Sequence, residues 1–297
     1  MVQVLSAHSS RDAVLTGIAC MCGAAGLFTI MDFLIKIMAT SGYHTFQILF
    51  ARSLFAMIPV LWIVQRAGGF RILRTRNPKL HLLRCCFGAV SMICFFTAYK
   101  YLPVSGVVAL GFSAPLFMTA LAGVLGGDKV KLAHWFAVLV GFAGVLYIVQ
   151  PGGDSFSLWS LLPIGGAMTY AVVSVLIRRI GSSEPAVVTV FYFTSFTTVL
   201  GLISLPFIGI WPQSVHDFAV MVGVGLIGGV AQVLMTRAFT LAPVSVVGPF
   251  DYTAMLWAVA IEALILGILP TEAVVTGSAI VIASGLYILY REARVAK

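Results

Sequence analysis

The sequence predicts an all-α integral membrane protein of ten transmembrane helices, built as two inverted five-helix repeats with both termini cytoplasmic. Three observations carry this expectation. The 297 residues are 60% hydrophobic and 9% charged, with mean hydropathy +1.05, whereas soluble domains carry about a quarter charged residues. Ten apolar segments follow one another with short breaks at turn formers. The chain also matches itself at an offset of 140 residues. A span takes roughly 20 residues, so ten spans leave no room for a sizeable soluble domain.

In order, the apolar segments lie near residues 14–38, 45–65, 82–101, 104–126, 132–150, 158–178, 185–209, 217–239, 243–267 and 272–290. The breaks fall at Ser41-Gly42, Gly68-Gly69, Pro103, Gly126-Gly127-Asp128, Pro151-Gly152-Gly153, Gly181-Ser182-Ser183, Pro212, Pro243 and Pro270, the residues that punctuate helices. The first segment exceeds a signal-peptide core, carries Asp32 and Lys36, and precedes no clear cleavage site, so it is expected to stay as a helix.

Charge placement sets the direction. With a cytoplasmic N-terminus, Arg11, Arg66, Arg71, Arg74, Arg76, Lys79, Arg84, Lys129, Lys131, Arg178, Arg179, Arg237, Arg291, Arg294 and Lys297 fall inside, 15 of the 18 basic residues. This asymmetry is the positive-inside pattern. The net charge of +8 then reports topology and not affinity for nucleic acid. Trp62, Trp135, Trp159 and Trp211 stand at span ends, as an interfacial belt requires, and Trp257 stands mid-span.

The repeat pairs Ala98–Ser105 with Ala238–Ser245 and Leu146-Tyr147-Ile148 with Leu286-Tyr287-Ile288. Leu34-Ile35-Lys36 pairs with Leu176-Ile177-Arg178 at an offset of 142. The units are residues 13–150 and 158–290. Five spans per unit send the second copy into the membrane the other way, which places a substrate site near the midplane between two mirror-related gates. Small residues four apart, Ala137 and Gly141 in span 5 and Ala279 and Ala283 in span 10, predict close packing of these two spans. No oligomer is then required.

The Ala-x4-Pro-Val-Ser junctions at Ala98–Ser105 and Ala238–Ser245, Pro115, the Gly126-Gly127-Asp128 break and the Gly141-x2-Gly144 ending resemble the drug/metabolite transporter superfamily, in particular its ten-helix exporters of two EamA repeats. The resemblance covers about residues 13–290. The family's Gly-Glu pair is altered here to Gly127-Asp128, and in the second copy to Gly267 with Glu272 displaced. The resemblance implies a cavity lined by spans 1, 3, 4, 6, 8 and 9. It also implies alternating-access transport of small organic solutes across a bacterial inner membrane, without cofactor. The aromatic amino-acid exporters are nearest in length and layout, so export of apolar or aromatic amino acids is the first expectation. A riboflavin-like vitamin, or another drug or metabolite, is the alternative.

Charges inside spans are candidates for function. Asp32 and Lys36 share a face of span 1, and Arg52 and Glu262 lie at similar depth, giving either an outer ion-pair network or direct contacts to substrate. Asp251 follows Pro249, whose missing N–H loosens the preceding turn. It is either a proton or substrate contact, or a group bonded to backbone or to Arg237. Asp251, Met255, Ala258 and Glu262 share one helical face. Pro115 is the matching proline of span 4, and both prolines are candidate kinks or gates. Tyr99, Phe112, Tyr170, Phe239, Tyr252 and Trp257 are candidate ring contacts. Gln232 is the one amide at a span centre, suited to substrate or to helix–helix hydrogen bonding.

An enzyme or a channel is the more distant reading. The chain has no His-Glu-x-x-His, no Gly-x-Ser-x-Gly, no phosphate loop and no filter-like ring of polar residues. Its five cysteines stand in apolar stretches without metal-site neighbours, so neither metal nor catalytic residue is expected. The expected partners are a small-molecule substrate and membrane lipid.

Overall fold

The computed structural model describes residues 2–102, 104–124, 132–149, 158–257, 260 and 272–295, which form helices, short 3-10 turns and connecting turns without a strand. The predicted breaks at Pro103, residues 126–128, 151–153 and Pro270, together with Ala258 and Glu262, lie outside the described residues. The helices are α1 (Val2–Thr40), α2 (Thr45–Arg66), α3 (Pro78–Tyr101), α4 (Val104–Gly111), α5 (Ala114–Val124), α6 (Leu132–Val149), α7 (Leu161–Gly181), α8 (Ala186–Ile208), α9 (Val215–Leu241), the single turn α10 (Val244–Val247) and α11 (Glu272–Val295). Among the described residues six helices, α1 to α3 and α7 to α9, are long and apolar enough to cross a membrane. They correspond to predicted spans 1 to 3 and 6 to 8.

The other predicted spans differ in ways with clear causes. Span 4 is two helices, α4 and α5, parted at Phe112-Ser113. Pro115 therefore sits in the first turn of α5, where its missing N–H costs nothing, and does not kink a continuous helix. Ser113 closes the break: its hydroxyl donates to Leu110 O at 2.7 Å, and its carbonyl accepts from Leu116 and Phe117. In span 9, α10 runs into a 3-10 turn, Gly248–Tyr252, with Pro249 in its first turn. The two breaks occupy corresponding places in the repeats and touch, with the Phe112 and Tyr252 rings edge-on at 5.6 Å.

The loops follow local chemistry. Gly42, Gly68 and Gly69 take φ of +89°, +121° and +73°, values that glycine adopts without strain. The Ser214 hydroxyl caps α9 by accepting from Asp217 N at 3.0 Å. Both α3 and α9 end one residue before an extended Leu102 or Ala242 and the following proline, a residue type that disfavours helix just ahead of it.

Each helix of the first half packs on one from the second: α1 on α9, α3 on α7, α2 on α8 and α9, and α6 on α11. Exchanging each helix for its repeat counterpart returns the α1–α9, α3–α7, α2–α8 and α6–α11 pairs, whereas the α2–α9 contact maps onto a smaller one between α8 and α3. The α6–α11 seam runs through Gly141 and Gly144, where an added Cβ would lie 2.8 Å from Ser284 Oγ and 3.0 Å from Gly277 O. The partnership of spans 5 and 10 is present, but Ala279 and Ala283 face outward; Gly277 and Ser284 form the contact instead.

Two polar joints tie the loops. At one face of the molecule Tyr43, in the α1–α2 loop, donates to Asp217 Oδ2 at 2.8 Å and accepts from Gln213 N, while Gln47 bonds both ways with Ile210. At the opposite end of α2 Glu184, in the α7–α8 loop, accepts from Thr75 Oγ1 at 2.7 Å and Arg76 N at 3.0 Å, and its Oε2 meets His81 Nε2 at 2.9 Å. The α1–α2 and α7–α8 loops that carry Tyr43 and Glu184 hold corresponding places in the repeats, and α2 runs from the first face to the second while its counterpart α8 runs back.

Burial alone raises the Glu184 carboxyl, but the Thr75 hydroxyl, His81 and the Arg76 amide outweigh it and hold the group below its ordinary value. A depressed folded-state value gives stability that is present above the unfolded value of about 4.3 and lost as pH falls through the folded one. Glu184→Gln is expected to destabilise the protein by about 2 kcal/mol at pH 7, read as a lower Tm in detergent. The deficit should shrink below about pH 4; an equal deficit at every pH contradicts the carboxylate joint.

Candidate functional site

A cavity of about 530 Å³ opens where the two broken spans meet the long helices, within the roughly 300–1,000 Å³ usual for small-molecule sites. Its walls come from α1, α3, α4, α7, α9 and the 251–255 segment, with one residue each from α2 and α8, Arg52 and Phe193. These are predicted spans 1, 3, 4, 6, 8 and 9, plus two single side chains from spans 2 and 7. Phe28, Phe95, Phe96, Phe112, Tyr170 and Phe193 give it aromatic surface.

Of the candidates read from sequence, Tyr99, Phe112, Tyr170, Gln232, Asp32, Asp251 and Arg52 line this cavity, as does Met255. Phe239 and Tyr252 stand one layer behind. Phe239 is fully buried with its ring edge-on to Tyr170 at 6.2 Å, and the Tyr252 hydroxyl donates to Val138 O at 3.3 Å behind Phe112. Trp257 is 44% exposed and donates its indole N–H to Cys22 O at 2.9 Å, its ring laid over Gly26 of α1.

Lys36 has different partners from those expected. Its ammonium donates to Tyr99 O at 2.9 Å and Leu102 O at 3.3 Å, carbonyls at the end of α3 that have no intrahelical donor. Arg178, its repeat counterpart, donates to Thr240 O at 2.8 Å at the end of α9. The repeat thus conserves a cation closing the last turn of each unit's third span, where the helix dipole favours positive charge. Asp32 faces the Tyr99 hydroxyl instead.

Arg52 and Arg84 are each 1% exposed. Arg52 Nη2 donates to Gln232 Oε1 at 2.9 Å and Gly228 O at 3.4 Å. The Arg84 guanidinium lies 3.7 Å from the centroid of the Phe193 ring, and that of Arg52 lies 5.8 Å from it. Arg84 reads in sequence as one more cytoplasmic charge, yet it stands in the second turn of α3 and faces the cavity. The signal was its position inside the apolar run Leu82-Leu83-Arg84-Cys85-Cys86-Phe87. Phe193 had no distinguishing sequence signal among the 21 phenylalanines.

No ion pair within 4.0 Å joins Asp32, Asp251, Arg52, Arg84 or Arg237 to one another. Two carboxyls and two guanidiniums therefore share one cavity without neutralising contacts. Among the described residues no cluster of His, Cys, Asp or Glu has metal-site geometry.

The family model described as the EamA-like transporter family matches the chain twice, over residues 15–150 and 157–290. A riboflavin transporter of Vibrio cholerae is 30% identical over 80% of both chains. The pseudopaline exporter CntI of Pseudomonas aeruginosa is 25% identical over 83% of this chain and 86% of its own. An S-adenosylmethionine uptake transporter of Rickettsia prowazekii is 24% identical over 89% of both. One crystal structure shares the fold with TM-score 0.75 at 19% identity, over 96% of this chain and 99% of its own.

Because Lys36 closes α3 and does not pair with Asp32, Lys36→Met is expected to cost about 1–3 kcal/mol. Because Tyr99 is a shared neighbour, a small coupling to Asp32→Asn, below about 1 kcal/mol, is expected in a double-mutant cycle read by unfolding. A larger coupling would restore the ion-pair reading.

Proposed function

Since the chain belongs to the EamA-like transporter family, we propose that this small-molecule transporter carries a flat heteroaromatic solute of the riboflavin type. It works by alternating access as ten spans in two inverted repeats, 13–150 and 158–290, in a bacterial inner membrane. The observation that carries the reading is the cavity: about 530 Å³, walled by aromatic rings and furnished with hydrogen-bonding groups at a few points. Rings of a tricyclic solute stack on such walls, and Gln232, Tyr99 and the guanidiniums supply the polar anchors.

The site lies where two discontinuous spans, α4/α5 and α10 with its 3-10 turn, approach each other. Broken helices at the repeat interface are where alternating-access transporters bind solute, because backbone groups freed by the break face a cavity and not lipid. The antiparallel course of α2 and α8 and the symmetric helix pairing support the inverted arrangement. The basic residues around the second face, Arg66 to Lys79 with Arg178 and Arg179, support a cytoplasmic assignment for it. Direction then follows the solute and proton gradients.

Asp251 is the proton carrier in this reading. It stands in the 3-10 turn of the broken span, lines the cavity and has no ion-pair partner within 4.0 Å, so its carboxyl is available to exchange a proton with the cavity. A second reading, an amino acid with an apolar or aromatic side chain, is favoured by the presence of carboxyls and guanidiniums in the same cavity, one set for an ammonium and one for a carboxylate.

The test is counterflow in proteoliposomes loaded with unlabelled solute. Saturable entry of labelled riboflavin is expected. Asp251→Asn should abolish any acceleration by a pH gradient while leaving exchange intact. Exchange of tryptophan or phenylalanine without riboflavin would select the second reading, and an unchanged pH response in the variant would remove Asp251 from the proton path.

A further inference from the structure

Arg52 and Arg84 pose a problem that the helical scaffold does not solve. Both are 1% exposed, and Nε and Nη1 of each have no hydrogen-bond partner. A buried N–H of a charged group left unpaired is strongly destabilising, and such groups in folded proteins call for a specific explanation. Carboxylates are present in the cavity, but neither Asp32 nor Asp251 comes within 4.0 Å of either guanidinium.

The two side chains are nevertheless held in place. Arg52 is fixed by Gln232 and Gly228, and Arg84 by the face of Phe193 at 3.7 Å. Gly88, one turn along α3, makes room for this stack: a Cβ there would lie 2.7 Å from the Phe193 ring and 2.9 Å from Arg84 Nη1. A guanidinium is a rigid, planar fork of donors, matched to planar acceptors with two oxygens and poorly matched to cations.

We propose that Arg52 and Arg84, flanking the Phe193 ring, form the acceptor-recognition subsite of the cavity, taking a planar edge that presents two electron-rich oxygens. On the proposed function, on which this rests, that edge is the dione side of a flat heteroaromatic ring. A carboxylate offers the same chemistry from a different source. Arg84 and Arg52 are then specificity-determining residues, and the unpaired N–H groups are the ones the solute satisfies. Removing the Arg84 guanidinium relieves buried unpaired donors that make no hydrogen bond within the protein, so that substitution should weaken binding without lowering stability, whereas Arg52 also serves Gln232 and Gly228.

The experiment uses full-length protein purified in detergent. It measures binding of riboflavin and of lumichrome, which keeps the dione ring and lacks the sugar-alcohol chain, alongside phenazine, a flat tricycle without the dione, and tryptophan. Riboflavin and lumichrome should bind and phenazine should bind at least about tenfold more weakly, given one or two lost charge-assisted hydrogen bonds. Arg84→Lys and Arg52→Lys should each weaken the dione ligands by about tenfold to a hundredfold. They should leave phenazine binding unchanged, and Arg84→Met should leave Tm equal to or above that of the unsubstituted protein. Arg84→Met gives a second variant in which the same loss is read without any charge.

If riboflavin binds and the arginine variants bind it as tightly as the unsubstituted protein, the subsite is overturned while the proposed function stands. If tryptophan binds in place of riboflavin and Arg84→Lys weakens it, the subsite is upheld with a carboxylate as its ligand and the riboflavin reading falls. Tight binding of phenazine, or failure of folded protein to bind any dione or carboxylate ligand, overturns the subsite.

Discussion

A bilayer offers no hydrogen bonds, so every buried polar group in this chain must find its partner within the protein or in a solute. The fold is the outcome of that constraint. Where spans 4 and 9 break, Ser113 and the 3-10 turn at Gly248–Tyr252 satisfy some of the backbone groups beside each break. Where α3 and α9 end, Lys36 and Arg178 reach across to their last carbonyls. The guanidinium groups of Arg52 and Arg84 carry charged donors that the protein leaves unmet, and they stand in the cavity.

Symmetry turns these local solutions into a mechanism. Each of the two faces has one polar joint, Tyr43 with Asp217 and Gln213 on one and Glu184 with Thr75, Arg76 and His81 on the other. Both are engaged together in this conformation, joining the two halves at both faces. The broken spans meet between the two halves, where the Phe112 ring lies edge-on to Tyr252 and Met118, Val247 and Phe250 join the central core.

Most of the frame was legible in the sequence because it rests on features of period and punctuation: apolar runs, prolines after α3 and α9, and a repeat that carries Lys36 onto Arg178. The six long helices and the pairing of spans 5 and 10 follow from these. What sequence reasoning missed depends on direction. Ala279 and Ala283 share the small size of Gly277 and Ser284, yet only the latter pair faces α6. Lys36 lies one turn from Asp32 but is drawn by the carbonyl end of α3, a long-range partner that no local spacing reveals. Arg84 follows Lys79 closely and so reads as part of the cytoplasmic cluster, although it stands in the second turn of α3 with its side chain buried. Phe193 acquires its role only from the arginines on either side.

Whether this cavity is reached alternately from the two faces is tested most directly by thiol accessibility. Met92, on the α3 wall of the cavity, is replaced by cysteine in protein whose five native cysteines are replaced by alanine, and a membrane-impermeant thiol reagent is applied from either side of sealed vesicles. Alternating access predicts labelling from both sides, slowed by solute from both. Labelling from one side only, with the same extent at long times and no protection by solute, would contradict it.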